Sequence, residues 1–319
     1  MKVFESLEEL PQDFGPTVVT VGNFDGIHRA HRGVIEAVRA RASELDARAV
    51  VLSFDPHPER ILRPHGGPPL ITPGPRKMEI LEETGVDAVL VLPFTRDLSM
   101  MPAFEFAEEI LYNRLHAIEL HEGFNFRFGH KAEGDVYRLR EFGRKLGFAV
   151  IAHEPIRWGG IFISSSNVRT LVRGGRVAAA RHLLGRPFSI DSTPGRGRGF
   201  GSKYTVPTIN LARYDELTPG YGVYVTEMTI NGENFRAVTN VGNRPTFGPD
   251  SFAIESYLLN FHPLELTAQT PIRLTFLHRL REEIKFPSTE ALKEQIGRDV
   301  ARAERYFRLR DRLCRSLTA

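Results

Sequence analysis

The chain runs TVVTVGNFDGIHRAHRGVI from Thr17 to Ile35, and this stretch decides the fold of its first half. The β-branched run from Thr17 to Val21 predicts a buried strand that stops at Gly22. A turn with two glycines follows, and an apolar helical pattern begins after it. This order directs backbone N–H groups and the positive end of a helix dipole at one place, which suits a phosphate.

Two histidines, His28 and His31, stand three residues apart at the predicted start of this helix. The spacing places both imidazoles on one helical face. Beside a phosphate they donate hydrogen bonds and, when protonated, positive charge. A metal site would need further ligands, and no HExxH motif or cysteine cluster is nearby. The alternative is that both histidines face solvent.

Composition and length indicate an ordinary globular protein. The chain has 319 residues, enough for two domains, with 41% hydrophobic and 25% charged residues. The net charge of +3 does not require nucleic acid, because a local phosphate pocket would account for it. The single cysteine, Cys314, excludes an intrachain disulfide. We find no signal peptide, membrane span or sign of an obligatory protein partner, and expect a cytoplasmic location.

The first half alternates predicted strands and helices, with a proline- and glycine-rich loop at residues 64–75. Further strands are expected at 49–54, 87–92 and 148–151, a strand and loop at 120–128, and helices at 76–84, 103–115 and 136–146. Strands separated by helices of this length predict a doubly wound parallel α/β sheet with ligands at the carboxyl ends of the strands.

The pattern changes after a helical stretch at residues 167–184, where Gly185, Arg186 and Pro187 break the chain. We place the boundary there, giving domains 1–186 and 187–319. Beyond it, strand-like runs lie at 223–230, 235–241, 253–261 and 271–280. No helix is expected until one that begins at Ser288 and ends near Leu313. The second half therefore predicts an antiparallel β-barrel with a C-terminal helix.

Two further segments of the first half carry candidate ligand contacts. GFNFRFG, residues 123–129, predicts phenylalanines that alternate into the core, with Asn125 and Arg127 pointing the other way to a ligand. ISSSNVR, residues 163–169, places Ser164, Ser165 and Arg169 at a helix N-terminus, which suits an anion. The alternative for the second segment is a serine-rich helix cap with a solvated arginine.

The second half contains its own candidates. VPTINL, residues 206–211, offers Thr208 and Asn210, whose hydroxyl and amide oxygens are ligands that Mg²⁺ prefers. The alternative is an ordinary turn before a strand. Glu255 lies in the apolar run IESYLLNF, residues 254–261, where alternation leaves open that it simply faces outward.

The motifs of the first half resemble a known superfamily. VGNFDGIHRAH is similar to the G-x-F-D-x-x-H-x-G-H signature of nucleotidyltransferases, and its N-F-D-G version resembles the bacterial bifunctional riboflavin kinase/FMN adenylyltransferase (FAD synthetase) family. ISSSNVR and GFNFRFG resemble two further motifs of that family. The resemblance implies catalytic roles for His28, His31 and Arg169, and flavin binding by Asn125 and Arg127. It implies that the ATP phosphates are bound by Gly22, Asn23, Phe24, Asp25, Gly26, Ser164 and Ser165.

The second half resembles the riboflavin kinase part of the same family, with more departures from its pattern. VPTINL is similar to the P-T-A-N signature, NVGNRPTF (residues 240–247) to N-x-G-x-x-P-T-F, and RLREEIKF (residues 279–286) to R-x-E-x-x-F. The resemblance implies that Thr208 and Asn210 hold Mg²⁺ and the ATP phosphates. It further implies that Glu255 is the general base, and that Arg281 and Glu283 lie on the flavin side.

The activity that the resemblance implies has two steps. Riboflavin and ATP give FMN, then FMN and ATP give FAD with release of pyrophosphate, with ATP as co-substrate and Mg²⁺ as cofactor. Two alternatives stay open. One is an FMN adenylyltransferase whose second domain binds flavin but has lost kinase activity, and the other is a flavin-responsive binding protein without either chemistry.

Overall fold

The computed structural model describes residues 1–195, 208–243 and 252–318. These residues form two compact units, Met1–Asn167 and Val168–Ala319. The predicted division of the two activities between residues 186 and 187 stays a prediction. Residues 196–207 and 244–251 lie outside the description, and with them part of the VPTINL and NVGNRPTF motifs.

The first unit is built on a six-stranded sheet in which every pair of neighbours is parallel. The strands of this unit are β1 Lys2–Phe4, β2 Thr17–Val21, β3 Arg48–Asp55, β4 Ala88–Pro93, β5 Ala117–Gly123, β6 Arg127–Phe128, β7 Gly134–Asp135, β8 Ala149–His153, β9 Arg157–Trp158 and β10 Ile161–Phe162. The sheet order is β1-β4-β3-β2-β5-β8. The order reverses direction at β2, which confirms the doubly wound fold and places a ligand crevice between β2 and β5.

Helices connect these strands at the predicted positions, but the short helices at Pro58–Leu62 and Arg96–Met100 were not predicted, and one helix differs in its hydrogen bonding. They are α1 Arg29–Glu44, α2 Pro58–Leu62, α3 Gly74–Thr84, α4 Arg96–Met100, α5 Ala103–Glu105 and α6 Val136–Leu146, together with a 3-10 turn at His130–Ala132. The helix predicted at 103–115 continues from α5 as a π-helix over Phe106–Arg114. A π-helix is defined by hydrogen bonds between residues five apart, and here the Leu115 amide donates to the Ile110 carbonyl at 3.0 Å.

The second unit begins with two helices where the sequence predicts one. They are α7, Ser165–Arg173, whose first residues belong to the first unit, and α8, Val177–Leu184. Gly175 lies between them with φ +70°, and a Cβ there would lie 2.8 Å from the Tyr224 hydroxyl. The single-helix prediction is therefore wrong, because the chain needs a left-handed residue without a side chain at this point.

The remaining strands of the second unit form a six-stranded antiparallel sheet in the order β11-β16-β13-β14-β15-β12. They are β11 Phe188–Ser192, β12 Thr208–Asn210, β13 Gly222–Ile230, β14 Glu233–Asn243, β15 Phe252–Leu258 and β16 Ile272–Arg281, and the chain ends in α9, Thr289–Thr318. The two outer strands meet just beyond their ends through a bridge between Pro194 and Leu211. An antiparallel barrel with a C-terminal helix is confirmed.

The two faces of this barrel sheet are packed differently. The interior holds large side chains such as Phe188 and Tyr224, with a buried polar ladder in which the Thr239 hydroxyl contacts those of Thr226 (2.6 Å) and Ser256 (2.8 Å). The outer face is covered in part by α9, whose Phe307 packs against valines of β13 and β14. Within the described residues, no helix combines the length and hydropathy that crossing a bilayer requires.

Candidate functional site

The glycine turn after β2 has an unusual backbone that brings α1 back over the sheet. Phe24, Gly26 and Ile27 all have positive φ, at 47°, 87° and 35°. The Gly22 amide donates to the Leu52 carbonyl at 3.0 Å, which fixes the start of the turn beside β3. Such conformations are uncommon for residues with side chains and concentrate at functional sites.

Asp25 binds a distant segment of the same unit rather than the space above the turn. Its carboxylate accepts hydrogen bonds from the amides of Ile71 and Thr72, both at 2.9 Å. The Gly26 amide donates to the Thr72 hydroxyl at 2.8 Å. These contacts fasten the proline-rich loop to the glycine turn, so the observed contacts of Asp25 are structural.

His28 and His31 form a stacked pair at the start of α1. Their ring centroids lie 3.6 Å apart with 20° between the planes. Nδ1 of His28 accepts from the His31 amide at 3.3 Å, so His28 is the N-cap of the helix. Burial, followed by the nearby His28, lowers the pKa of His31 well below its usual value. His31 is therefore neutral near pH 7, and it offers hydrogen bonding rather than the charge that the sequence suggests.

A large cavity lies over the carboxyl ends of the central strands. Its volume is about 1390 Å³, more than the 300–1,000 Å³ typical for one small ligand. It has room for two substrates of nucleotide size. Most of the predicted residues of the first unit line it, namely Gly22, Asn23, Phe24, His28, His31, Asn125, Arg127, Ser164 and Ser165. Asp25 and Gly26 are not among the residues that line this cavity.

The serine segment joins the same cavity wall to the glycine turn. Ser164 accepts from the Asn167 amide at 3.3 Å and caps α7, as one of the sequence alternatives expected. Ser165 donates to the backbone carbonyl of Asp25 at 2.8 Å. Arg169 follows one turn later on α7 and is buried at 8% exposure, within the second compact unit.

The aromatic segment does not form the continuous strand that the alternation predicts. β5 ends at Gly123, and the Phe126 amide donates back to its carbonyl at 2.9 Å. Phe128 is buried and stacks on Phe126, but Phe124 is 50% exposed and lines the cavity. The prediction that Phe124 packs in the core is therefore wrong, because a turn interrupts the alternation.

Sequence reasoning missed a buried lysine behind the glycine turn. The Lys77 ammonium contacts the Asn23 carbonyl at 3.4 Å and the Ser53 hydroxyl at 3.1 Å. Burial lowers the pKa of Lys77, which nearby Asp55 and Asp25 partly offset. The contact ties the backbone of the turn at Asn23 to α3 and β3. No local signal marks it, because its burial depends on packing between distant segments.

A buried carboxyl group in the cavity wall was also missed. The Val21 amide, beyond the last β2–β5 pair, donates to Oε1 of Glu122 at 2.7 Å. Burial raises the pKa of Glu122 well above its usual value. The strand AIELHEG places three titratable residues, Glu119, His121 and Glu122, among apolar ones, but nothing local in it marks which of them is buried.

In the second unit, strand pairing brings the predicted kinase residues into one row. Glu255 on β15 lies directly opposite Asn210 of β12 on one side and Asn240 of β14 on the other. The row continues through Val223 on β13 to Arg281 on β16. Residues paired directly across strands share a face, so these polar side chains lie on the side of the sheet opposite the barrel interior. Glu255 is half-buried there, between two amides.

The neighbouring predicted residues are held by defined contacts. Arg281 forms an ion pair with the buried Asp299 of α9, with Nη2 and Oδ2 2.8 Å apart. The carboxylate of Glu283 lies against Gly242, where a Cβ would come within 3 Å of it. Thr208 lies two residues before Asn210 and pairs with Tyr257. Among the described residues, no group of three or more His, Cys, Asp or Glu side chains is arranged to hold a metal ion.

Comparison with known proteins covers almost the whole chain. The FAD synthetase family matches residues 10–167, and the riboflavin kinase family matches residues 184–307. The bifunctional riboflavin kinase/FMN adenylyltransferase of Pseudomonas fluorescens is 34% identical over 95% of this chain and 97% of its own length. The protein of that name from Escherichia coli K12 is 32% identical over 95% and 96%.

One solved structure shares the fold over the same extent. It is named a macrolide-efflux protein from Streptococcus pneumoniae, has a TM-score of 0.80 and 24% identity, and covers 93% of this chain and 96% of its own. At that identity the likeness shows the fold alone. On the sequence comparisons, the chain belongs to the bifunctional riboflavin kinase/FMN adenylyltransferase family.

Proposed function

We propose that this chain phosphorylates riboflavin to FMN and adenylylates FMN to FAD, using ATP in both steps. The observation that carries the proposal is the presence of both sites in one chain, a cavity above a parallel sheet and a polar row around Glu255. The alternative of a second domain without kinase activity finds no support, because the riboflavin kinase match spans residues 184–307. The alternative of a flavin-responsive binding protein without either chemistry is likewise unsupported, because both enzyme families match the chain.

Adenylyl transfer needs no nucleophile from the protein. An oxygen of the FMN phosphate attacks the α-phosphorus of ATP, a P–O bond forms, and the bond to pyrophosphate breaks. The chain must align the reactants and stabilise charge on the phosphoryl oxygens. We assign this to His28, His31, Ser164 and Arg169. Ser165 and the part of the glycine turn that lines the cavity, Gly22 to Phe24, cradle the ATP phosphates, while Asp25 and Gly26 hold the turn in place. Asn125 and Arg127 then contact the flavin.

Riboflavin phosphorylation requires a proton acceptor. The 5′-hydroxyl loses its proton to Glu255 as its oxygen attacks the γ-phosphorus of ATP, and ADP leaves. The position of Glu255, half-buried between Asn210 and Asn240, supports this role. Arg281, anchored by Asp299, and Glu283 then lie on the flavin side.

Mg²⁺ fits the donor set of the second site. Thr208 and Asn210 would hold it, since they lie two residues apart on β12 beside Glu255 and their hydroxyl and amide oxygens are hard ligands. When bound, the ion neutralises charge on the ATP phosphates. The proposal assigns adenylyl transfer to residues 1–186 and phosphorylation to residues 187–319, and places the chain in the cytoplasm with its substrates riboflavin, FMN, FAD and ATP.

Chromatography of the products formed from riboflavin, ATP and Mg²⁺ tests the function directly. The expected product is FAD, with FMN as an intermediate that declines with time. Accumulation of FMN without FAD would contradict the adenylyl transfer step. FAD formed only from supplied FMN would contradict the kinase step, and the absence of both products would leave the binding-protein alternative.

A further inference from the structure

A hydrogen-bonded network of four polar side chains crosses the first unit beside the cavity. None of the roles proposed above uses this network. Arg41 of α1 binds Glu119 of β5 through two contacts, Nε to Oε1 at 2.9 Å and Nη2 to Oε2 at 3.0 Å. Oε1 of Glu119 lies 2.8 Å from Nε2 of His121, and Nδ1 of His121 lies 2.9 Å from Nε2 of His153. His153 ends β8 and lines the cavity.

The buried carboxylate of this network, that of Glu119, is compensated without a proton on either histidine. Arg41 compensates the carboxylate of Glu119, and the two are in direct contact. A proton on His121, which is 3% exposed, would place a positive charge in the interior, and the second carboxylate that Arg41 contacts, that of Glu44, is 61% exposed and screened by solvent. Glu122 does not supply a buried carboxylate, because burial raises its pKa well above the usual value. Burial, followed by His121, also lowers the pKa of His153.

With one N–H on each imidazole, every hydrogen bond along this network has a fixed direction. His121 donates its Nε2–H to Glu119, because a carboxylate only accepts. Nδ1 of His121 is then an acceptor, so Nε2 of His153 carries the hydrogen and donates to it. A neutral imidazole has one N–H, which leaves a lone pair on Nδ1 of His153.

We propose that His153 is a binding residue of the adenylyl transfer cavity whose Nδ1 accepts a hydrogen bond from an N–H or O–H group of a substrate. Glu119 and His121 are positioning residues that select its tautomer. Phosphate oxygens are acceptors, so the partner is a donor elsewhere on the substrate, either the adenine amino group or an N–H or hydroxyl of the flavin. The identity of the substrate rests on the proposed function, but the tautomer does not.

The tautomer is tested by nitrogen NMR on protein labelled at its histidines. A long-range ¹H–¹⁵N spectrum near pH 7 distinguishes Nε2–H, Nδ1–H and imidazolium forms, and the spectrum of His153→Asn identifies the signal. The wild type is expected to show His153 as the Nε2–H form, and His121→Val is expected to give a mixture of tautomers. An Nδ1–H or imidazolium form in the wild type, or an unchanged tautomer in His121→Val, would overturn the proposal.

The role in binding is tested by the kinetics of FAD formation from FMN and ATP. His153→Phe is expected to lower kcat/KM about 10-fold, whereas His153→Asn, whose Oδ1 accepts near the position of Nδ1, stays within about threefold of wild type. A raised KM for ATP with a reduced preference for ATP over GTP identifies the adenine amino group as donor. A raised KM for FMN identifies the flavin. Unchanged kinetics in His153→Phe, or equal losses in both variants, would overturn the proposal.

Phosphorylation of riboflavin by the same preparations is the control, since none of these residues belongs to the kinase site. Its loss in His153→Phe would show that the variant is misfolded, and the comparison then rests on His153→Gln, which keeps a polar side chain. Failure of the wild type to form FAD would refute the proposed function while leaving the tautomer result standing.

Discussion

At the scale of single residues, burial decides which polar groups carry charge. His31 and Glu122 both have a pKa displaced toward the neutral form, although they line a cavity suited to polyphosphates. The sequence predicted nine of the residues that line this cavity, which are a minority of its lining. It did not predict Lys77 or Glu122, because the burial of one polar side chain depends on which distant segments pack around it.

His28→Ala is expected to lower FAD formation by roughly 10²-fold or more, because it removes a preorganised donor near the transferring phosphoryl group. Its side chain also caps α1, so FMN formation by the same variant is the control for folding. FMN formation should persist. Equal loss of both activities would contradict separate sites.

Glu255→Gln keeps the shape of the side chain between its two amide neighbours but removes its ability to accept a proton. A general base contributes about 10²–10⁴-fold, so FMN formation should fall by that order with little change in riboflavin affinity. Conversion of supplied FMN to FAD should not change. A wild-type rate of riboflavin phosphorylation in this variant would show that Glu255 is structural.

At the scale of elements, periodicity predicted most helices and strands, and the failures share a cause. The single helix predicted at 167–184 breaks at Gly175, and the aromatic alternation at 124–128 breaks at a turn. Both breaks satisfy contacts with distant segments, since Gly175 lies against Tyr224 and the Phe124 amide donates to the His153 carbonyl at 3.0 Å. The sequence alone also could not predict that Glu255 pairs with Asn210 and Asn240, because strand register depends on partners far along the chain.

Gly175→Ala is expected to lower the free energy of unfolding by at least about 1–2 kcal/mol, the cost of a left-handed conformation for a residue with a side chain. The new methyl group would also lie 2.8 Å from the Tyr224 hydroxyl and from Nε of Arg279. Gly297→Ala is the matched control. It lies within α9 with nothing within 4 Å of its Cβ position, and should be neutral or stabilising. Urea unfolding of both variants measures the difference, and equal stabilities would contradict the argument.

At the scale of the whole molecule, the two compact units differ in the direction of their strand pairing. The first is a parallel sheet, and the second is an antiparallel sheet in which β13, β14 and β15 pair in chain order and the outer strands are bridged by Pro194 and Leu211. Composition and pattern were enough to predict both architectures and their order. The placement of α7 and α8 with the second unit was not predicted, because both helices continue the alternating pattern of the first.

A fragment of residues 187–319 is expected to fold alone as a barrel, but to be less stable than a fragment of residues 168–319. The shorter fragment lacks α8, which buries Val177, Leu183 and Leu184. Fully burying a side chain of this kind contributes about 1.5–3 kcal/mol, so the difference should reach about 3 kcal/mol or more. Urea unfolding followed by circular dichroism measures it. A shorter fragment without a cooperative transition would contradict an independent barrel.

The hydrogen bonds of Asp25 also bear on the order in which the molecule assembles. The glycine turn is held by contacts that close loops of 46 residues to Ile71 and 140 residues to Ser165. A newly made chain therefore cannot complete this turn until nearly the whole first unit has been synthesised. The conformational entropy of closing these loops is lost before the contacts that compensate for it can form. On the ribosome, nucleotide affinity should consequently appear late and abruptly, after Ser165 has left the exit tunnel.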